Sequence, residues 1–282
     1  RDSIQFLWDQ TVRGMNRGLT ADQMAHAIRL PAACDDDYLT TEFYGVAEHH
    51  VRQIAAGVRG WFDGDPARLF ALEPAERAGR LVEGFGGPAA VHARVATARG
   101  ENDLRWALEL ASWLSGRAEA EAADHRLLAD VLRDIGYRTT AANIRNWCLT
   151  KARDLDGTAN LDRLREHRLR QAQLLALGPR GALHLLRVLL DPARVDGLDL
   201  HIGFVFSDAP GAGLHVRNGV SVATDGARPG PTVSTSFADL AALLGGQGTL
   251  SAAVAEGKVR IEGDADAVIR ALSAYDIPSL KA

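Results

Sequence analysis

The sequence predicts two domains of different class, a helical region over residues 1–156 and an α+β region over residues 157–282 with a small sheet of about five strands. A chain of 282 residues is longer than one hydrophobic core usually spans, and its 46% hydrophobic residues suffice for two cores. Up to about Asp154 the apolar residues recur at helical spacing, whereas beyond about Leu161 they alternate with a period of two residues. This change of period is the reason for placing a domain boundary between the two regions.

Caps mark the first two helices. Ser3 is the expected N-cap of the first helix, which has one apolar face. The members of that face are Ile4, Leu7, Trp8, Thr11, Val12 and Met15. Thr20 and Gln23 have the spacing of a capping box, so a second helix is expected to start there and to stop at Pro31. A third helix is expected over residues 42–58.

Turns and shorter helices fill the rest of the helical region. Trp61 and Phe62 lie in a turn-forming segment, residues 60–66, and their rings are expected to be buried against the core. A Gly-Gly-Pro sequence at 86–88 predicts a break. Further helices are expected around residues 74–83, 106–114, 127–135 and 144–148. Successive helical hairpins of this length are typical of tetratricopeptide-like stacking, and an ordinary helical bundle explains the pattern equally well.

The second region mixes strands and helices. Apolar residues alternate over 198–206, which is typical of a half-buried strand, and a helix over 182–190 precedes it. Later strands are expected at 232–236 and 259–261. Later helices are expected at 237–244, 250–256 and 264–275.

Residues 214–222 carry a hairpin signal for which two registers can be argued. A two-residue Asn-Gly loop would pair Arg217 with Val220 and mix polar and apolar side chains on each face. A three-residue Arg-Asn-Gly loop, with Gly219 in a left-handed bulge, would pair Val216 with Val220. We predict the second register, because it gathers the apolar residues on one face.

Composition disfavours several classes of partner. The net charge is −4 and there is no block of Lys and Arg, so no nucleic acid partner is expected. No stretch approaches the roughly 18 apolar residues of a membrane span. Cys34 and Cys148 lack a C-x-x-C pattern and are expected to be buried thiols rather than a disulfide or zinc ligands. These features favour a soluble protein, with the cytoplasm as the preferred compartment.

The sequence also lacks the usual motifs of a catalytic site. There is no cluster of His, Asp and Glu with the spacing of a hydrolytic zinc site, and no nucleotide-binding or serine-nucleophile motif. His49 and His50 are adjacent, and neighbouring helical residues point about 100 degrees apart, so the two do not easily share one ion. We therefore expect no metal ligand, cofactor or catalytic residue in this chain.

Four segments, in a fixed order, resemble the alkyl sulfatases of the metallo-β-lactamase superfamily. They are residues 6–16 (Phe-Leu-Trp-Asp-Gln-Thr-Val-Arg-Gly-Met-Asn), 42–45 (Glu-Phe-Tyr-Gly), 60–66 (Gly-Trp-Phe-Asp-Gly-Asp-Pro) and 145–146 (Arg-Asn). The α+β region resembles the sterol-carrier-protein fold that ends those enzymes. The resemblance thus spans nearly the whole chain.

The resemblance implies a role for the chain within a larger enzyme. In that family a two-zinc hydrolase domain precedes a helical dimerisation domain and a carrier-like domain, and the enzymes act on sulfate esters of hydrophobic alcohols. We therefore expect a homodimer and, before Arg1, a missing N-terminal metallo-hydrolase domain that alone would hold zinc. The chain is expected to be the non-catalytic rear portion of such a hydrolase. A stand-alone lipid- or sterol-binding protein and a peptide-binding scaffold are the alternatives.

The same resemblance implies substrate contacts near the Tyr-Gly motif. In the family this stretch approaches the sulfate pocket, so Tyr44, His49 and Arg52 are the substrate-contact candidates, although ordinary helix packing would explain them as well. The family pattern is Tyr-Tyr-Gly-Thr, and this chain departs from it at Phe43 and Val46, neither of which carries a hydroxyl. A related hydrolase with another substrate is therefore an alternative.

An apolar cleft in the carrier-like domain is expected to hold a hydrophobic alkyl or lipid ligand, with a filled core as the alternative. The candidate cleft residues are Phe204, Phe206, Val220, Val222, Phe237, Leu240, Leu244, Val259 and Ile261.

Overall fold

The computed structural model describes residues 1–34, 38, 40–161, 169–226 and 228–281. The chain divides into two compact units, Arg1–Leu161 (unit 1) and Asp162–Ala282 (unit 2). Unit 1 is helical, and unit 2 combines helices with a five-stranded sheet. The predicted fold class is therefore confirmed.

The described part of unit 1 contains nine α-helices. They are α1 (Asp2–Asn16), α2 (Ala21–Ala27), α3 (Ala47–Arg59), α4 (Pro66–Leu69), α5 (Pro74–Gly84), α6 (Pro88–Gly100), α7 (Leu104–Gly116), α8 (Ala122–Arg138) and α9 (Ala142–Leu155). From α6 to α9 each helix packs against the next along the chain. A short 3₁₀ turn, Ala32–Cys34, lies between α2 and α3.

The capping box of α2 is confirmed. The backbone N–H of Gln23 donates to Oγ1 of Thr20 at 3.2 Å, and the backbone N–H of Thr20 donates to Oε1 of Gln23 at 2.9 Å. The cap predicted for α1 is wrong, because that helix already begins at Asp2 and its N-cap position is Arg1. Ile4 and Trp8 also differ from the prediction, since both are exposed while the rest of the apolar face is at least half-buried.

Two other helix predictions need correction. The third helix begins at Ala47 rather than at residue 42, because the carboxylate of Glu42 accepts the backbone N–H of Ala47 at 2.5 Å and thereby caps the helix. The Gly-Gly-Pro break opens an unpredicted helix, α6, in which Pro88 occupies the first turn, where a missing N–H costs nothing. The ring of Trp61, expected to be buried, is exposed.

Unit 2 contains strands β1 to β5 in the spatial order β3-β2-β1-β4-β5. The strands are β1 (Asp199–Phe206), β2 (Ala212–Arg217), β3 (Val220–Thr224), β4 (Thr232–Thr235) and β5 (Arg260–Glu262). Among these five strands, β1 and β4 pair in parallel and the other neighbouring pairs are antiparallel. The α-helices described in this unit are α10 (Gln171–Leu185), α11 (Phe237–Leu244), α12 (Leu250–Ala255) and α13 (Ala265–Ser273). They bury the even-numbered side chains of β1 and β2 in one core.

The register predicted for the β2–β3 hairpin is wrong. Arg217 pairs with Val220, so the loop is the two-residue Asn218-Gly219 turn, and both of its residues have positive φ angles of 50° and 71°. Such a turn matches the right-handed twist of the strands. The mixed faces that argued against this register do occur, because Ser221 is buried in the core while Val220 faces outward.

The segment after β3 approaches the outer face of the sheet at two glycines. A Cβ on Gly213 would lie 2.8 Å from Cα of Gly226, and a Cβ on Gly226 would lie 2.5 Å from the carbonyl oxygen of Ala212. Neither position has room for a side chain.

Candidate functional site

The segment that carries the substrate-contact candidates is held against the start of α9. The carbonyl oxygen of Phe43 accepts the backbone N–H of Ala142 at 2.7 Å, and that of Tyr44 accepts the N–H of Asn143 at 3.3 Å. The backbone of the Tyr-Gly motif is thus fixed, while the Tyr44 side chain is 73% exposed.

The three substrate-contact candidates line three different cavities of unit 1. Tyr44 lines one of about 230 Å³, His49 one of about 760 Å³ and Arg52 one of about 180 Å³. The structure of this chain therefore places them in one segment but does not bring them together at one pocket.

Arg52 is occupied by carboxylates. Its Nε donates to Oδ1 of Asp22 at 2.9 Å, and its Nη1 donates to Oε1 of Glu48 at 2.7 Å. Glu48 also receives two hydrogen bonds from Arg105, at 3.1 and 2.6 Å. The pKa of Glu48 is lowered to about 2, and hydrogen bonding from Arg105 is the largest cause. Burial acts in the opposite direction, and the hydrogen bond from Arg52 adds to the lowering. Arg52 thus joins α2 to α3 through Asp22 and pairs with Glu48 within α3.

The cavity of about 760 Å³ was not foreseen as a unit. Its charged lining residues come from distant parts of the sequence, and Glu48 and Arg105 are 57 positions apart. No local spacing could have revealed them. Its lining residues are Arg29, Glu42, Val46, Ala47, Glu48, His49, Leu104, Arg105, Leu108, Leu132, Ile135, Arg138, Thr139, Ile144, Trp147 and Cys148.

Most of the cleft candidates in unit 2 lie in its core. Phe204, Phe206, Phe237, Leu240, Leu244 and Val259 are buried, and Ile261 is half-buried. The ring of Phe206 stacks on Phe204 with centroids 6.1 Å apart and meets Phe237 edge-on at 5.4 Å. In this arrangement the side chains fill the space between the sheet and the helices with one another.

Val220 and Val222 do not share that interior. Because the two-residue turn sets the register of β3, both point to the outer face of the sheet, where they are 52% and 45% exposed. The prediction that they face an apolar cleft is wrong.

Three further observations bear on the class of protein. No group of three or more His, Cys, Asp or Glu side chains is placed to hold a metal ion within the part of the chain that the structure describes. Within the same residues, no helix combines the length and the apolar character needed to cross a membrane. Cys34 is half-buried and Cys148 is buried, and neither forms a disulfide.

A helical unit followed by an α+β unit with a five-stranded sheet defines a two-domain protein. Comparison with protein families identifies both. Residues 20–158 match the alkyl sulfatase dimerisation domain, and residues 169–281 match the alkyl sulfatase C-terminal domain. The chain therefore belongs to the alkyl sulfatase family, of which it contains the dimerisation and C-terminal domains.

Individual relatives agree with this assignment. A linear primary-alkylsulfatase from Pseudomonas sp. is 34% identical over 94% of this chain and 52% of its own length. An (R)-specific secondary-alkylsulfatase from Pseudomonas sp. is 30% identical over 94% of the chain and 40% of its own. The solved structure of a stereoselective inverting sec-alkylsulfatase from Pseudomonas sp. superposes with a TM-score of 0.81 at 28% identity, over 98% of this chain and 44% of that one. The chain thus spans about half the length of the curated relatives it matches.

Proposed function

We propose that this chain serves as the rear portion of an alkyl-sulfatase-type metallo-hydrolase, whose zinc site lies in a metallo-β-lactamase-type domain outside the chain. The observation that carries the proposal is the order of the two matched domains, dimerisation then C-terminal, in a chain that covers only about half of its relatives. The zinc would supply the activated nucleophile, and the described residues of this chain form no metal-ligand cluster of their own.

The mass of the intact protein in its source tests this proposal most directly. A mass near twice that of this chain, together with bound zinc, is expected for a hydrolase with a preceding domain. A mass equal to that of this chain would overturn the proposal. It would favour the alternative, a stand-alone lipid- or sterol-binding protein.

The two free cysteines agree with a reducing compartment, and we place the protein in the cytoplasm.

We also propose that unit 1 forms a homodimer. Its exposed apolar residues include Trp61, Leu69, Phe70 and Leu72, all within the short stretch that surrounds α4. Aromatic residues are enriched at protein interfaces, and two-fold association is the commonest way to cover such a surface. Sedimentation of the chain at micromolar concentration should give twice the mass of one chain, whereas a monomer would contradict the proposal.

Capping of the active site is the role we assign to Tyr44 and His49. Both side chains are exposed, Tyr44 on a stretch whose backbone is bonded to the start of α9 and His49 on the first turn of α3, so they are free to meet a charged ester in the neighbouring domain. Arg52 would act by holding Glu48 and Asp22 in place.

Substitutions in the whole enzyme test the capping role. Tyr44→Phe and His49→Ala should each raise KM for an alkyl sulfate or lower kcat, by about tenfold for a lost charge-assisted hydrogen bond. Tyr137→Phe is the matched control, because Tyr137 is equally exposed at 72%. Unchanged kinetics in both test variants would remove these residues from the site.

Unit 2 is proposed to resemble a sterol carrier and to hold the hydrophobic tail of the substrate. Its support is the continuous cluster of buried apolar side chains between the sheet and the helices α10, α11 and α13. Since the side chains there pack against one another, ligand entry would require the helices to move. Without ligand, we expect the backbone amides of α11 to exchange rapidly, and a long-chain alcohol should slow this exchange. An exchange rate that the alcohol does not change would contradict the proposal.

A further inference from the structure

The first helix, α1, carries apolar residues on two faces, of which one is buried in unit 1. Leu7, Thr11 and Met15 are buried, and α1 packs against α2 and α3. Ile4 and Trp8 lie one helical turn apart on another face and are 75% and 51% exposed. The described residues of unit 1 therefore leave an apolar stripe of α1, the Ile4–Trp8 stripe, in contact with solvent.

The helix that carries this stripe lies outside both domains matched by the family comparison. The dimerisation match begins at residue 20, after α1 has ended at Asn16, and the C-terminal match extends to residue 281. The chain covers only 52% and 40% of two relatives. Because the last domain of the family reaches residue 281, the unmatched part of the relatives is expected before the dimerisation domain, on the side of α1. This position favours the preceding domain over a second copy of unit 1 as the partner of the stripe.

The stripe also borders the residue to which we assign a capping role. Ile4 and Tyr44 line the same cavity of about 230 Å³, together with Ser3 and Leu7 of α1. A domain that contacts Ile4 would therefore lie beside Tyr44. Domains joined by a linker move relative to each other unless a sizeable apolar contact holds them. Capping requires such a contact, because Tyr44 has to stay over one pocket.

We propose that the Ile4–Trp8 stripe is the docking surface for the metallo-hydrolase domain that precedes α1, and that its partner is an apolar patch of that domain. The inference rests on the proposed function, since it needs that domain to exist. In this arrangement α1 is packed on two sides. Leu7 and Met15 contact unit 1, and Ile4 and Trp8 contact the preceding domain, which is thereby positioned at Tyr44.

Hydroxyl-radical footprinting with mass spectrometry tests the contact without any substitution, because the oxidation of each side chain follows its exposure to solvent. Oxidation of Trp8 should be about fivefold slower or more in the intact protein than in the 282-residue chain, since an interface excludes water from its apolar core. Tyr137 is the internal control. Its side chain is 72% exposed and should be oxidised equally in both samples.

The possible failures of this test are distinguishable. Equal oxidation of Trp8 in the two samples overturns the proposal. Protection of Trp8 already in the 282-residue chain also overturns it, because a second copy would then cover the stripe. The intact mass separates these results from a failure of the proposed function. A mass equal to that of this chain removes the preceding domain itself, whereas a mass near twice that value with Trp8 oxidised removes only the docking surface.

Substitutions in the intact protein test whether the stripe holds the two halves together. Ile4→Ala and Trp8→Ala keep the helix propensity of α1, and each should speed trypsin cleavage after Arg1 about fivefold or more, because a junction without its packing opens more often. Val58→Ala is the matched control, since Val58 lies in α3 and is 51% exposed, as Trp8 is.

Gel electrophoresis follows the appearance of the fragment that begins at Asp2. Thermal melts of the same variants in the 282-residue chain should match the unsubstituted chain, which shows that α1 still packs on unit 1. Unchanged cleavage rates in both test variants, or an equal increase in the Val58→Ala control, would show that the stripe does not hold the preceding domain.

Discussion

The two units achieve stability in different ways. Unit 2 has one core that takes in its sheet and its helices, whereas the described part of unit 1 divides its buried side chains among three smaller clusters. Ion pairs also join separate elements of unit 1, for example Arg105 with Glu48, Arg99 with Asp134 and Arg117 with the buried carboxylate of Asp124. Apolar burial is thus gathered in one core in unit 2, whereas in unit 1 it is divided among clusters whose elements are also linked by charged pairs.

The exposed surfaces differ as well. Every large exposed aromatic side chain among the described residues lies in unit 1, whereas the large exposed apolar residues described in unit 2 are Leu and Val. The aromatic side chains in question are Trp8, Tyr38, Phe43, Tyr44, Trp61, Phe70, Phe85, Tyr137 and Trp147. A unit that keeps such residues on its surface is suited to contact other protein surfaces. The comparison thus distinguishes a self-contained unit from one built for association.

The largest effect is expected from a cavity in the single core of unit 2. Leu214 is fully buried, so Leu214→Ala should lower the free energy of unfolding of that unit by about 2–5 kcal/mol. Val220→Ala, on the exposed face of the same hairpin, should change it by less than about 0.5 kcal/mol. Urea denaturation followed by circular dichroism measures both. Equal losses of free energy of unfolding in the two variants would mean that the outer face of the sheet is also buried.

Lowering the pH should destabilise the two units over different pH ranges, because the groups whose pKa values are shifted differ between them. Burial, His215 and Arg228, opposed by Asp225, hold the pKa of His201 below its usual 6.5. The unfolded chain therefore binds the proton more readily, and unit 2 should lose stability as the pH falls below 6.5. In unit 1 the pKa of Glu48 is lowered from 4.5 to about 2, so its contribution is lost only as the pH falls through that lower range.

Tryptophan fluorescence makes this difference measurable. All five tryptophans lie in unit 1, at positions 8, 61, 106, 113 and 147, so fluorescence reports unit 1 while circular dichroism reports both units. Between pH 7.5 and pH 5.5, the urea midpoint measured by circular dichroism should fall, whereas the midpoint measured by tryptophan fluorescence should stay constant. His201→Gln should remove the change. Coincident shifts in both signals would contradict the distinction.

A smaller effect is expected from a buried pair of hydroxyl groups that joins Tyr275, near the end of the chain, to Ser221 of β3. Tyr275 donates to Oγ of Ser221 at 2.7 Å, and burial raises the pKa of Tyr275 to about 12. Tyr275→Phe leaves the Ser221 hydroxyl without this partner and should cost unit 2 about 1–2 kcal/mol in urea denaturation. The double variant with Ser221→Ala should recover part of the loss. Purely additive losses would show that the hydrogen bond contributes nothing.

Local signals predicted much of the fold. The capping box of α2 and the alternation in β1 depend on neighbours within a few residues, and both elements formed as expected. Features decided at longer range were missed. The helix that begins at Pro88 was missed because its packing against α7 involves a separate segment of the chain. The hairpin register was predicted from the faces of the side chains, whereas the conformation of the Asn218-Gly219 turn determines it.

The candidate site shows the same limit. Sequence resemblance located the segment of Tyr44 and His49, but the partners that occupy Arg52 and line the neighbouring cavity come from other helices. Trp61 is a further example, because an aromatic ring in a turn predicts burial without indicating what buries it. When the covering surface belongs to another chain or domain, the residue is exposed in the isolated unit.

Substitution of Phe70 should affect dimerisation strongly and the folding of unit 1 very little. Its side chain is 91% exposed, so Phe70→Ser should change the free energy of unfolding of unit 1 by less than about 0.5 kcal/mol. If the stretch around α4 forms the dimer contact, the same substitution should weaken dimerisation at least tenfold in analytical ultracentrifugation, because aromatic anchors dominate interface energies. Val254→Ser, an exposed apolar position of unit 2, should leave the dimer unchanged. A dimer insensitive to Phe70→Ser would place the contact on another of the exposed aromatic residues of unit 1.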